Sequence, residues 1–274
     1  MKKRFVIIPV VLVALVAAFF FIRAFLYTRK QLEFTFDAAY YWASDEKNSK
    51  GSIDSWNYEK LPAGHSYYLY LPPEYREDKD NEDAKLPLIV VFHGSDEKGA
   101  ALHKYGEPFV REDFQKKIYP KGAAVLVILS RVNYFTDPHS TSLLIQNIAL
   151  RNKCIDQTNI IGWGFSQGAK FVVELACAEP RLFRAVISGS GFYHITLKEL
   201  ISVMPVCFYS AVSENDKGIF EQGCIVGRLC GKWCKNSRYV QYQNRGHFYV
   251  ELKDKTGRGD ETVMDWLVNI VNGA

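Results

Sequence analysis

Three apolar patterns alternate along the chain. The first is a single unbroken run, Phe5 to Ile22, 18 residues without a charge. The second is a set of short continuous runs, Leu86–Phe92 (Leu-Pro-Leu-Ile-Val-Val-Phe), Ala123–Leu129, Asn159–Gly162, Ala185–Ser188 and Pro205–Val212. Leu86–Phe92 and Ala123–Leu129, apolar at every position, predict strands covered on both faces, and the other three, each with one polar residue, predict further strands. Ser66–Leu71, rich in tyrosine and leucine and closed by Pro72-Pro73, predicts an edge strand, and Tyr239–Tyr242 a short last one. The third pattern has helical spacing. Leu143, Leu144, Ile148 and Leu150 predict a helix over Ser140–Asn152. Phe171, Val172, Leu175 and Ala176 predict one over Gln167–Ala178, and Val263, Trp266, Leu267 and Ile270 one over Asp260–Asn272. Buried strands alternating with helices give an α/β class, a mostly parallel central sheet with helices on both faces.

The long first run has a different meaning. As a helix it covers about 27 Å, enough for a bilayer core. Lys2, Lys3 and Arg4 precede it, so the short N-terminal tail is expected to stay in the cytoplasm and the remainder to cross. The apolar run continues through Phe19-Phe20-Phe21-Ile22, past the small residues Val16-Ala17-Ala18. That favours an uncleaved signal anchor; a cleaved signal peptide, giving a secreted protein, is the alternative. The organisation expected is an anchor over residues 1–30 (membrane-spanning about 5–22), a stalk or lead-in segment over 31–64, and one catalytic-size domain over 65–274.

Charge changes little. The net +4 of the 274 residues includes six basic and no acidic side chains within residues 1–30, so the rest carries −2. A nucleic-acid partner is not expected. All six cysteines (Cys154, Cys177, Cys207, Cys224, Cys230, Cys234) lie in the exported part. An even count in an oxidising compartment predicts disulfides, and no paired Cys-x-x-Cys knuckle points to a metal. Cys154 precedes the strand, and Cys177 ends the helix, that flank the motif described next, so the two are expected to pair. One pair among Cys224, Cys230 and Cys234 is expected as well, with Cys207 as the remaining candidate.

The chemistry is concentrated in Ile160-Ile161-Gly162-Trp163-Gly164-Phe165-Ser166-Gln167-Gly168. A strand enters Gly-x-Ser-x-Gly and a helix leaves it, the arrangement of a nucleophile elbow. Gly164 and Gly168 allow the tight turn, and Ser166 is expected in a strained conformation with its hydroxyl above the sheet. A serine needs a base and the base an acid, in the chain order serine, acid, histidine. The acid falls in Ser213-Glu214-Asn215-Asp216, where Glu214 and Asp216 compete, and Gly246-His247 supplies the base. An oxyanion needs two donors. The Gln167 backbone N–H is one, and Ser95, after His93-Gly94, is assigned the other. His93 is expected to brace that loop. Tyr134, Phe135, Phe192 and Tyr193 are candidates for an aromatic pocket.

With these residues in view the chain resembles the α/β-hydrolases. Tyr68-Leu69-Tyr70-Leu71-Pro72, Leu86 to Gly94, Gly164-Phe165-Ser166-Gln167-Gly168 and Gly246-His247 resemble the branch of polyhydroxybutyrate depolymerase-like esterases, including feruloyl and acetylxylan esterases. Cys154-Ile155-Asp156 and Leu175-Ala176-Cys177 are also similar to those enzymes. The resemblance covers roughly residues 65–250. It implies an α/β-hydrolase fold and hydrolysis of carboxylic esters through an acyl-enzyme. Ser166, Asp216 and His247 would form the triad, without cofactor or metal. The turn Ser213–Asp216 resembles the family turn that aspartate closes, which selects Asp216 over Glu214. The substrates implied are small-molecule or polysaccharide-linked esters. Acyl transfer, thioester or peptide cleavage on the same triad, and an inactive domain used for binding, are the competing expectations. The segment Gly218–Lys235 has no counterpart placed in that branch.

Overall fold

The computed structural model describes residues 13–26, 57–60, 66–130 and 134–273. Residues 13–26 form a helix, α1. The expected span over residues 5–22 therefore lies partly outside the described residues. Among the described residues no helix is long and apolar enough by itself to cross a membrane. Then follow β1 (Asn57–Lys60), β2 (Ser66–Tyr70), β3 (Leu86–Phe92), α2 (Glu112–Ile118), β4 (Ala124–Leu129), α3 (Pro138–Arg151), β5 (Ile155–Phe165) and α4 (Gln167–Ala178). The chain continues through β6 (Ala185–Gly189), α5 (Leu197–Val203), β7 (Cys207–Ser213), α6 (Phe220–Trp233), β8 (Arg238–Tyr242) and α7 (Val263–Val271).

The eight strands make one sheet in the order β1-β2-β4-β3-β5-β6-β7-β8. β1 to β2 and β2 to β4 are antiparallel, and every other pair is parallel. Side chains of a strand alternate between faces, and β3 shows the consequence. Leu86, Leu88, Val90 and Phe92 enter one core with Ile145 and Ile148 of α3, Phe171 and Leu175 of α4, and Val226 and Leu229 of α6. Ile89 and Val91 enter the other with Phe114 and Ile118 of α2 and Trp266, Leu267 and Ile270 of α7.

Several expectations change. β2 is not an edge strand, because residues 57–60, assigned to the lead-in segment, pair with it from outside. β5 is longer than Asn159–Gly162 and begins in the polar stretch Asp156–Thr158, which is exposed or half-buried. The segment Gly218–Lys235 contains α6, a helix of 14 residues. Its apolar pattern is interrupted by Gly223, Gly227 and Gly231, which are poor helix formers. Those glycines share a face, and a Cβ at Gly227 would come within 2.6 Å of the Tyr239 ring edge, while one at Gly223 would lie 2.6 Å from Gly191 O. Close approach of α6 to β8 and to the loop after β6 is what the glycines provide.

The disulfide expectation is also corrected, since all six cysteines are buried free thiols. Cys154 sits against the charged loop before β3, with its N–H on Lys79 O at 2.9 Å. Cys177, near the end of α4, is buried in the same core, with Glu199 and Cys234 among the groups that act on its thiol. Cys224 is turned to Tyr239, whose hydroxyl is 3.0 Å from its sulfur. Cys230 and Cys234 lie side by side at the end of α6 as hydrogen-bonded thiols.

Candidate active site

The site is assembled where parallel strands end. β5 finishes at Phe165 and α4 begins at Gln167, leaving Ser166 alone in the turn at φ 53° and ψ −118°. A non-glycine residue is costly there, and the turn persists only because its surroundings fix it. The Ser166 N–H donates to Gly189 O at 3.0 Å. A Cβ at Gly164 would run into the backbone of Gly168 and Ala169, and one at Gly168 into the carbonyl oxygens of Phe92 and His93. Only glycine fits either place. Gln167 is the first residue of α4, so its N–H has no acceptor within the helix.

β7 ends at Ser213, and the following turn brings Asp216 back under the histidine loop that follows β8. Asp216 Oδ2 lies 2.9 Å from His247 Nδ1. Asp216 is 7% exposed and His247 38%. An ionised, shielded carboxylate at that distance accepts from Nδ1–H and leaves Nε2 as the basic nitrogen. The other carboxylate of the turn points elsewhere: Glu214 accepts from Gln241 Nε2 at 2.7 Å. The His247 ring lies 4.9 Å, between centroids, from Phe165, the residue just before the serine.

Ser166, His247 and Asp216 line one cleft of about 800 Å³, with Ser95 and Gln167 in its wall. Its apolar lining comes from Tyr134, Phe135, Phe165, Phe192 and Ile219. Tyr193 is absent from that lining and packs against the core, with its hydroxyl on Glu199 at 2.8 Å. The loop carrying Ser95 is braced from below. His93 is fully buried, with Nδ1 2.7 Å from Gly94 O and Nε2 accepting from Ser130 N–H at 3.1 Å. Burial pushes its pKa down to about 4, so it is a neutral strut near pH 7. Gly94 is pressed on Phe165, where a Cβ would come within 2.9 Å of the ring.

Some contacts were not legible in the chain. Glu97, in the cleft wall just after Ser95, takes hydrogen bonds from Lys104, also in that wall, and from the Tyr105 hydroxyl. The Gln167 side chain pairs with both backbone groups of Phe135: Phe135 N–H donates to Oε1, and Nε2 donates to Phe135 O, each at 2.9 Å. This clamps the cleft wall to the elbow helix. The partners are 32 residues apart, so no local pattern announces the pair. Among the described residues no group of three or more His, Cys, Asp or Glu is placed to hold a metal ion.

No protein-family model matches the chain, and no curated protein matches it. Solved structures do. A thermostable esterase superposes with a TM-score of 0.57 at 17% identity, over 80% of this chain and 60% of that one. This chain thus spans less than two thirds of that esterase. EstE1, a thermophilic and thermostable carboxylesterase from a metagenomic library, gives 0.56 at 13% identity, over 82% and 90%. A ferulic acid esterase gives 0.54 at 10% identity, over 70% and 90%. At such identities the likeness is one of fold, and the fold is that of the α/β-hydrolases.

Proposed function

We propose, from the premise of an α/β-hydrolase fold, that this protein is a serine esterase hydrolysing carboxylic esters, held at the outer face of a membrane by its N-terminal segment. The observation that carries the reading is the pair of buried Asp216 and His247 at 2.9 Å, opening on the same cleft as Ser166 in its strained turn. In the proposed reaction His247 Nε2 takes the Ser166 proton as Oγ attacks the acyl carbon. Asp216 holds the imidazole tautomer and stabilises the imidazolium. The Gln167 N–H and a donor from the Ser95 loop receive the oxyanion. His247 returns the proton to the leaving alkoxide, and water then releases the acid by the same steps. Apo hydrolases often hold the serine–histidine contact loosely until substrate closes it.

The aromatic rings of Tyr134, Phe135, Phe165 and Phe192 in the cleft wall suit an ester with an apolar or aromatic acyl group. The substrate class proposed is small-molecule or polysaccharide-linked esters. The test is labelling with a fluorophosphonate probe together with turnover of p-nitrophenyl, feruloyl and acetyl-sugar esters. The wild type should be labelled on Ser166 and release free acid. Ser166→Ala should lose labelling and on the order of 10⁴–10⁶ in turnover. A Ser166→Ala variant keeping more than about a tenth of the activity overturns the reading. Net transfer to an added alcohol, with little free acid, would instead make the enzyme an acyltransferase.

A further inference from the structure

We infer that Asn215 is a positioning residue that sets the height of the His247 imidazole over the cleft; this rests on the serine-esterase reading. His247 is partly exposed, and among the described residues its ring is hydrogen-bonded to Asp216 and packed on Phe165. Those contacts fix the ring's distance to its neighbours, while its position along the cleft follows its backbone. The backbone is where the restraint lies. Asn215 Oδ1 accepts from the Gly246 N–H at 2.7 Å and from the Ser213 hydroxyl at 2.7 Å. Ser213 Oγ in turn accepts from the Arg245 N–H at 2.8 Å. Two hydrogen bonds thus join the turn that carries Asp216 to the N–H groups of the two residues just before His247, and a third, from Ser213 to Asn215, ties their acceptors together.

The far side of the histidine is held in the same way. Phe248 N–H donates to Ser190 Oγ at 3.0 Å, and Ser190 is fully buried at φ 49°. Arg245 is pinned as well, by Asp254 at 2.8 Å and by the Phe248 ring at 4.3 Å. Gly246 sits between these anchors at φ 65°, with nothing within 4 Å of where a Cβ would be. No side chain anchors Gly246 itself, and the Asn215 acceptor is the hydrogen bond that orients its N–H. Because acid and base are cross-linked by the same side chain, they move together. A misplacement of about 1 Å in such a pair is enough to cost on the order of 10²-fold.

Both contacts use Oδ1, an acceptor that a carboxylate supplies equally and a leucine of similar size does not. Three variants therefore separate geometry from mere fit: Asn215→Asp, Asn215→Leu and, because the site is exposed, Asn215→Ala as the one least able to disturb folding. The enzyme should lose at least about tenfold in kcat with Leu and Ala, with KM changed less than about threefold, and recover most of it with Asp. The downfield proton resonance of His247 Nδ1–H, held by Asp216, should weaken with Leu and Ala and persist with Asp. Folded Leu and Ala variants with wild-type kcat and an unchanged resonance overturn the inference, as does an Asp variant no better than Ala. Fluorophosphonate labelling of wild-type Ser166 is run alongside. A wild type that is not labelled sinks the esterase reading, and the resonance then still decides the clamp.

Discussion

At the scale of single residues, the two carboxylates of one turn show how position outranks type. Glu214 and Asp216 are separated by one residue, and both follow β7. The Glu214 N–H is bound to Tyr242 O at 2.8 Å, which fixes that residue on the β8 side, and its carboxylate meets Gln241. The Asp216 N–H turns back to Ser213 O at 3.0 Å, and its carboxylate is carried under His247. Only the second is shielded from water and able to hold a tautomer. Asp216→Asn is expected to reduce turnover by on the order of 10²–10⁴ near neutral pH, since a neutral amide cannot stabilise the imidazolium. Glu214→Gln, exposed and outside the site, is expected to change it less than about threefold. Steady-state rates of the two variants decide the matter; a dead Glu214→Gln beside an unaffected Asp216→Asn would move the acid to Glu214.

At the scale of elements, the central strands and the elbow were legible because local pattern and tertiary role agree there. β3 is apolar at every position and is buried at every position. Ser166 lies where the strand-to-helix motif predicts, since Gly164 and Gly168 are demanded by contacts within the motif itself. α6 was not legible, because its glycines contradict helix propensity and are explained only by β8 and the loop after β6, which are distant from them in sequence. The Asn215 and Gln167 clamps escaped for the same reason: both ends are polar, and the second end is distant in sequence. The α6 argument has a consequence. Gly227→Val should drive its side chain into Tyr239 and cost about 1–3 kcal/mol. For a domain of this size that is a fall in melting temperature on the order of 2–10 °C. Tyr239→Ala made in the Gly227→Val background should recover part of the loss, a coupling read by a double-mutant cycle in thermal unfolding. Equal melting temperatures for wild type and Gly227→Val would show that α6 does not depend on close approach.

At the scale of the whole molecule, two parts of the chain answer to different solvents. The α/β domain turns its large apolar residues inward onto two faces of one sheet. α1 does the opposite. Val13, Leu15, Val16, Phe19, Phe20, Phe21, Ile22, Phe25 and Leu26 are all between 42% and 74% exposed, on every side of the helix. Nine large apolar side chains left in water are costly at about 25 cal/mol per Å², and a helix apolar all round calls for an apolar surrounding. With Lys2, Lys3 and Arg4 at its start, this is the pattern that supports the proposed anchoring with the domain on the outer side. Burial raises the pKa of the Cys154 thiol to about 11 and that of Cys177 further, which guards these two thiols. The thiolate that oxidants attack is then scarce. The full chain is therefore expected in the membrane fraction, resisting extraction by alkaline carbonate, with its domain open to external protease in intact cells. A chain beginning after residue 26 should be released as a soluble esterase with turnover within about twofold of the full chain, because every residue placed in the cleft lies at or beyond Ser95. Mature full-chain protein recovered soluble, with its N-terminus beyond Ile22, would instead establish cleavage of a signal peptide.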